Sequence, residues 1–194
     1  MKKIFIGLLI ISFIGFAGCT KFGSKTSTKE LPEATTQQAQ GSNLQYYFTK
    51  ANQHPDEKLI KVIDSSKTTL DIAIYSLTKQ SIVDAIIGAK KRGVTVRVMT
   101  DKVESKGKSA SKELKLIKDA GIPIKINSHV GLMYIKMTIA DKKIATTGSY
   151  NYTEGGTKDN DDTLVIINDP KVAQDFDNEF ESMWGNTKEY IDYK

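Results

Sequence analysis

The chain of 194 residues contains a single cysteine, Cys19, so no disulfide can form within it. It has two histidines, His54 and His129, and neither stands in a spacing that closes a zinc site. No segment repeats at a fixed period. The apolar run IFIGLLIISFIGFAG, from Ile4 to Gly18, is shorter than the roughly 20 residues a membrane-spanning helix needs. Neither sign of charge dominates: 28 basic residues face 23 acidic ones, a formal net charge of +5. That balance is compatible with an anionic partner and does not demand one. The acidic cluster DNDD (Asp159 to Asp162) lacks the glycine and terminal glutamate of an EF-hand loop, so it reads as a solvated loop.

What the N-terminus does contain is an export pattern: Lys2 and Lys3, an apolar stretch, then small residues. FAGC, Phe16 to Cys19, resembles the bacterial lipobox, with phenylalanine where leucine is usual. The resemblance implies a signal at residues 1–18, cleavage before Cys19, and lipidation of Cys19 that holds the protein at the outer side of the cell membrane. An ordinary signal peptide or an uncut anchor with a chance cysteine is the alternative. Each buried acyl methylene contributes roughly 0.8 kcal/mol to such an anchor. Without Lys2 and Lys3 the formal charge becomes +3, 26 basic against 23 acidic residues. Residues 19–43 are rich in Thr, Ser, Gln and Lys. They offer too little apolar surface to fold and are expected to form a disordered tether. Its 24 residues from Thr20 would span on the order of 27 Å.

Residues 44–194 suit one domain with a core of its own. QYYFT (45–49) reads as a strand, and Pro55, Asp56 and Glu57 open a helix carrying Leu59, Ile60 and Ile63. TLDIAIYSL (69–77) alternates in strand fashion. A helix follows over 81–93, then a strand over 94–100, a polar loop over 103–111, a helix over 112–121 and a strand over 122–126. MYIKMTIA and KIATTG, joined by Asp141 and Lys142, have hairpin spacing. TLVIIN (163–168) reads as a buried strand. Asp169-Pro170 opens a last helix striped with Val172, Phe176, Phe180, Met183 and Trp184. Alternating strands and helices predict an α/β fold, a mixed β-sheet flanked by helices.

Along MYIKMTIA the alternation predicts Tyr134, Lys136 and Thr138 on one face and Ile135, Met137 and Ile139 on the other. The second set belongs to a core. A lysine on a central strand is rare unless paired, so Lys136 is either an edge-strand lysine or the ligand of an anion. From Lys136, four residues lead to Asp141, six more to Gly148 and Ser149, and Asn151 follows. This resembles the phospholipase D signature H-x-K-x4-D-x6-G-S-x-N, matched at five fixed positions over 16 residues. The DIAIYSLT strand, the Asp-Pro helix ending and the order of elements from Leu44 to Trp184 resemble the same superfamily, in its form with one motif per chain. The motif's histidine is replaced by Tyr134; His129 stands five residues too early to serve instead.

The resemblance implies a phosphodiesterase whose histidine attacks phosphorus covalently and which needs no metal or other cofactor. It implies that Lys136, Asn151 and Ser149 cradle the phosphate, that Asp141 and Gly148 are structural, and that Asp162 takes the place of an orienting carboxylate. Members with one motif form homodimers whose motifs face each other across a twofold axis. Tyrosine in the nucleophile's place leaves two outcomes open. A phenol has an ordinary pKa near 10, so about one in a thousand is ionised at pH 7. Either lysines from two protomers activate it, or turnover is lost and phosphate binding remains. Small size and a single motif favour a nucleic-acid substrate, which would need a basic strip; Lys106, Lys108, Lys112 and Lys115 are either that strip or the solvated surface that a lysine-bearing loop usually is. The membrane anchor keeps phospholipid in play. A phosphodiester-binding surface lipoprotein without activity, or a purely structural lipoprotein, completes the set of readings.

Overall fold

The computed structural model describes residues 43–194. The expected signal at 1–18, Cys19 and all but the last residue of the expected tether lie outside the described residues. Among the described residues no helix is long and apolar enough to cross a membrane.

Eight strands form one mixed sheet: β1 (Leu44–Phe48), β2 (Thr69–Ile74), β3 (Thr95–Thr100), β4 (Ile124–Asn127), β5 (Lys136–Ala140), β6 (Ile144–Gly148), β7 (Thr163–Ile167) and β8 (Tyr190–Asp192). Their order is β1-β7-β6-β5-β2-β3-β4-β8. β2, β3 and β4 run parallel, and every other pairing is antiparallel. The helices are α1 (Pro55–Ser65), α2 (Gln80–Lys91), α3 (Lys108–Asp119), α4 (Glu154–Lys158) and α5 (Pro170–Gly185). The expected mixed sheet with flanking helices is what the chain forms.

The period-2 alternation of the central strands builds two cores, one on each face of the sheet. Leu70, Ile72 and Ile74 of β2, with Val96 and Val98 of β3, meet Leu59 and Ile63 of α1, Ile82 and Ile86 of α2, and Leu114 and Ile117 of α3. Ala73, Met99, Met137 and Ile139 on the other face meet Phe180 and Met183 of α5. Met137 and Ile139 therefore fill a core, as their alternation predicts.

Several local features depart from the sequence reading. The stretch expected as loop up to Ser111 is helical from Lys108, and a 3-10 turn covers Glu104–Lys106. Neither α4 nor β8 is anticipated by an apolar pattern. α4 forms because Thr153 caps it, accepting a hydrogen bond from the Gly156 amide at 2.8 Å. In α5, Asp169 caps the start by accepting from the Lys171 and Val172 amides. The buried positions of that helix include Asp177, whose charge is met by Lys142 Nζ at 2.8 Å.

The β5–β6 hairpin turns at Asp141 and Lys142, both at positive φ, 55° and 56°. L-residues adopt that backbone at a cost, and long-range contacts hold both here. Lys142 reaches Asp177. The Asp141 carboxylate accepts from the amides of Lys67, Thr68 and Thr69 and from the Thr68 hydroxyl, at 2.7 to 3.1 Å. The turn is thereby tied to the start of β2, the strand next to β5 in the sheet.

Candidate functional site

Strands β5 and β2 lie side by side in the sheet, with Lys136 opposite Ile74. The last parallel strands end beside them, at Ile74 and Thr100. In α/β sheets this carboxyl end of the parallel strands is where binding clefts form.

Lys136 is the first residue of β5 and only 7% exposed. Its Nζ donates to the Tyr134 carbonyl at 3.0 Å. It lies 3.2 Å from the centre of the Tyr134 ring and 5.3 Å from that of Tyr75. The two rings are 4.6 Å apart and tilted by 59°. Among the described residues no carboxylate lies within ion-pair distance of this ammonium. Burial pushes its pKa below the ordinary lysine value, and the negative charge of Asp162 nearby opposes that shift.

Two other lysines are comparably buried, and their surroundings account for both. Lys79 pairs with Glu154 at 2.8 Å and Asp56 at 3.4 Å. Lys125 donates to the Trp184 carbonyl in the last turn of α5, at 2.6 Å, where the helix dipole favours a cation. Lys136 has only two π faces, one carbonyl and a more distant carboxylate.

That carboxylate belongs to Asp162, 9% exposed, just before β7. Its Oδ1 accepts from Ser149 Oγ at 2.7 Å, while its buried Oδ2 has no hydrogen-bond partner. Ser149 Oγ in turn accepts from the Thr163 amide at 3.0 Å. Gly148, at φ +139°, lets this loop close on β7: a Cβ there would meet the Thr163 carbonyl oxygen at 2.0 Å.

Asn151 sits two residues further on, between the inward-facing rings of Tyr150 and Tyr152. Tyr152 bridges to Leu77 just beyond β2, and its hydroxyl shares a hydrogen bond with Thr138 at 2.8 Å. The Asn151 Oδ1 is buried and has no hydrogen-bond partner. The structure thus brings Tyr134, Lys136, Ser149 and Asp162 into one neighbourhood, with Asn151 on the adjoining loop.

Tyr134 itself differs from the sequence expectation. It precedes β5, and the residue is 61% exposed. It packs on Tyr75 and over the Lys136 ammonium. Of the two histidines, His129 packs edge-on against Tyr190 and His54 occupies the N-cap of α1 at φ 50°.

Two residues of the rim escaped the sequence reading. Tyr75, treated as one more alternating strand residue, faces the Lys136 ammonium; its own pKa is raised by burial and by the Glu104 carboxylate beside it. Asp101, fully buried after β3, accepts from the Val103 and Glu104 amides with one oxygen and from the Met133 amide with the other. It fixes the segment carrying Tyr134 against the turn carrying Glu104. A carboxylate directly after a parallel strand was the available signal.

Residues 59–184 match the family model described as "Cardiolipin synthase, PLD-like domain". The chain belongs to the phospholipase D superfamily. Among relatives of this phospholipase D-like domain, a Rickettsia bellii (strain RML369-C) protein named phospholipase D is 26% identical over 183 residues, 90% of each chain. The mitochondrial cardiolipin hydrolase of Mus musculus is 28% identical over 127 residues, 66% of this chain and 57% of its own length. With the Chlamydomonas reinhardtii protein of the same name the match again covers little more than half of the relative, 56%. In fold, the phospholipase D-like domain superposes on the crystal structure of Nuc, a phospholipase D family member from Salmonella typhimurium. The TM-score is 0.72 at 29% identity, over 78% of this chain and 97% of that one. NucT from Helicobacter pylori has the same fold, with a TM-score of 0.66 at 22% identity, covering 73% and 96%.

Proposed function

We propose that the phospholipase D-like domain seats a phosphodiester on Lys136 and acts on it as a phosphodiesterase without a metal, with nucleic acid as the favoured substrate and phospholipid as the alternative. The observation that carries this reading is the buried Lys136 ammonium without an ion-pair partner among the described residues. A buried cation without a counter-charge is unfavourable; a phosphate oxygen supplies one, together with a charge-assisted hydrogen bond. The Asn151 amide offers a further donor, and the Ser149 hydroxyl becomes one when its proton turns from Asp162 to the phosphate. Asp162, which already holds Ser149 and acts electrostatically on Lys136, orients the cradle.

Tyr134 stands in the place of the nucleophile. As a phenolate it would attack phosphorus, form a phosphotyrosyl ester and expel the leaving oxygen; water would then release the phosphate. The ring lying on the Lys136 ammonium favours a second reading, in which the protein holds phosphodiesters and turns them over little or not at all. A second copy of the chain would bring a second Lys136 to the site. Val130, Leu132 and Tyr134, exposed along the rim, form an apolar border suited to that copy. Lipidation of Cys19 and a flexible tether would place the domain outside the cell, close to its membrane.

One assay separates these readings. The purified protein is given an activated phosphodiester in the presence of a chelator, as wild type, Tyr134→Phe and Tyr134→His. Activity of the wild type that Tyr134→Phe abolishes establishes phenol chemistry. Activity of the histidine form alone establishes that the wild type does not turn over, and oligonucleotide binding without cleavage by the wild type then establishes the binding reading. Activity that the chelator removes from every form refutes the metal-free mechanism.

A further inference from the structure

We propose that the solvent face of α3 is a track for single-stranded nucleic acid, taking the phosphates that follow the one seated at Lys136. The proposal rests on the phosphodiester reading of that seat and names its substrate as a polymer.

The placement of α3 is the first ground. Asp101 ties the Glu104–Lys106 turn to the segment carrying Tyr134 through the Glu104 and Met133 amides, and Glu104 lies beside Tyr75. α3 therefore starts at the rim of the seat. It runs twelve residues, about 18 Å, a length that accommodates roughly three nucleotides.

The second ground is the face it presents. Ala110, Leu114 and Ile117 are buried, and Lys108, Lys112, Lys115 and Lys118 are exposed on the other side, with Lys106 ahead of them. Lys112 pairs with Glu113 and Lys115 with Asp119. Among the described residues no carboxylate lies within ion-pair distance of Lys106, Lys108 or Lys118. Helix stability does not account for this pattern: Lys108 opens the helix, no acidic residue stands in the first turn, and a cation there opposes the helix dipole.

The third ground is a groove of about 620 Å³ lined by Lys108, Lys112, Lys115 and Lys118 together with Asp119, which pairs with Lys115, and the half-buried Tyr193. A positive groove with an aromatic ring is what an unpaired strand uses, phosphates on the cations and a base stacked on the ring. A phospholipid headgroup carries at most two phosphodiesters, as in cardiolipin, and so leaves the later lysines without a phosphate, whereas a polymer continues along them.

The test measures binding of a labelled single strand of roughly twelve nucleotides, across a salt series, to the whole protein. The variants are Lys112→Gln/Lys115→Gln/Lys118→Gln and a control of equal charge change, Lys61→Gln/Lys91→Gln/Lys171→Gln, whose lysines are exposed elsewhere. Each phosphate contact to a single strand adds about 0.7 to the slope of log affinity against log salt. The α3 triple variant is expected to flatten that slope by about 2 and to weaken binding about tenfold or more at low salt. The control triple leaves both within about twofold of wild type. Tyr193→Leu is expected to weaken the single strand about fivefold or more without changing the slope.

Equal effects of the two triples overturn the proposal, since net charge alone then explains binding. So does an α3 triple that loses phosphatidylglycerol vesicles and keeps the oligonucleotide. Lys136→Met separates the track from the seat. If it leaves binding of a dinucleotide unchanged while the α3 triple still flattens the slope, the seat fails and the track stands. If it abolishes dinucleotide binding while the α3 triple changes nothing, the track fails and the seat stands.

Discussion

The side-chain nitrogen of Lys136 is 3.2 Å from the centre of the Tyr134 ring and also donates to the Tyr134 carbonyl. One residue thus meets the ammonium with both its π face and its backbone. A desolvated cation–π contact is worth up to about 2 kcal/mol, and an anion approaching Lys136 from that side must displace it. Tyr134→Ala is therefore expected to bind inorganic phosphate more tightly than wild type, by roughly three- to thirtyfold on the scale of that contact. Tyr134→Phe, which keeps the ring, is expected to bind as wild type does. Calorimetric titration with phosphate checks both. Weaker binding by Tyr134→Ala would mean that the phenol ring helps to hold the anion.

Lys136 yields a prediction in which binding and stability move in opposite directions with pH. Burial lowers its pKa from the ordinary 10.5. Below the lowered value the ammonium is buried charged, a penalty to folding; as pH rises from there towards 10.5 the unfolded chain holds more protons and stability increases. Anion binding needs the charged form and declines over the same interval. Against a Lys136→Met reference, which removes the titration, wild type is expected to gain stability in urea melts and lose phosphate affinity as pH is raised on the alkaline side. A parallel fall of both would place the proton elsewhere.

Asp141 gives the mirror case. Burial raises its pKa somewhat, but the hydrogen bonds from Thr68, Thr69 and Lys67 outweigh that and the net shift is downward. Its contribution to stability is then fully present above the ordinary aspartate value near 3.9 and is lost as pH falls through the lowered one. Asp141→Asn keeps a side chain that tolerates positive φ and removes the charge. Allowing for its partial exposure, the expected loss is about 1 to 2 kcal/mol at pH 7, shrinking at acid pH. Denaturant unfolding at pH 7 and pH 3 checks both signs.

The contrast between Asp141 and Tyr134 shows how much of the site was readable from residues alone. The spacing of Lys136, Asp141, Gly148, Ser149 and Asn151 is local information, carried by one hairpin and the loop after it. The alternation that sends Met137 and Ile139 into the core is local too, and both were legible. Alternation does not show where a strand starts: Tyr134 lies two residues before β5, because pairing with β2 as a strand begins at Lys136. Tyr75 and Asp101 were passed over because what makes them part of the rim lies 59 and 32 residues away, in Tyr134 and Met133. The pairing of Lys142 with Asp177 was equally hidden: a carboxylate inside an apolar stripe predicts surface until a partner from another element is seen.

Gly148 carries the last prediction. Its φ of +139° is one that side chains rarely adopt, and an added Cβ would stand 2.0 Å from the Thr163 carbonyl oxygen and 2.9 Å from its carbon. Both are backbone atoms of the neighbouring strand, so no side chain can swing aside. The same carbonyl accepts from the Ser149 and Tyr150 amides at 3.0 and 3.2 Å, and the Thr163 amide donates to Ser149. Pushing β7 away would therefore loosen Ser149 and its bond to Asp162 together. Gly148→Ala is expected to cost about 2 to 4 kcal/mol, read from the urea midpoint, and to weaken phosphate binding in whatever fraction folds. Gly155 offers the comparison: it lies in α4 at an ordinary φ, and its added Cβ would come only to 3.6 Å from the Asp159 carboxylate. Gly155→Ala is expected to leave stability unchanged or raise it by up to about 1 kcal/mol. Equal losses from the two substitutions would show that the close approach of the Gly148 loop to β7 does not govern the site.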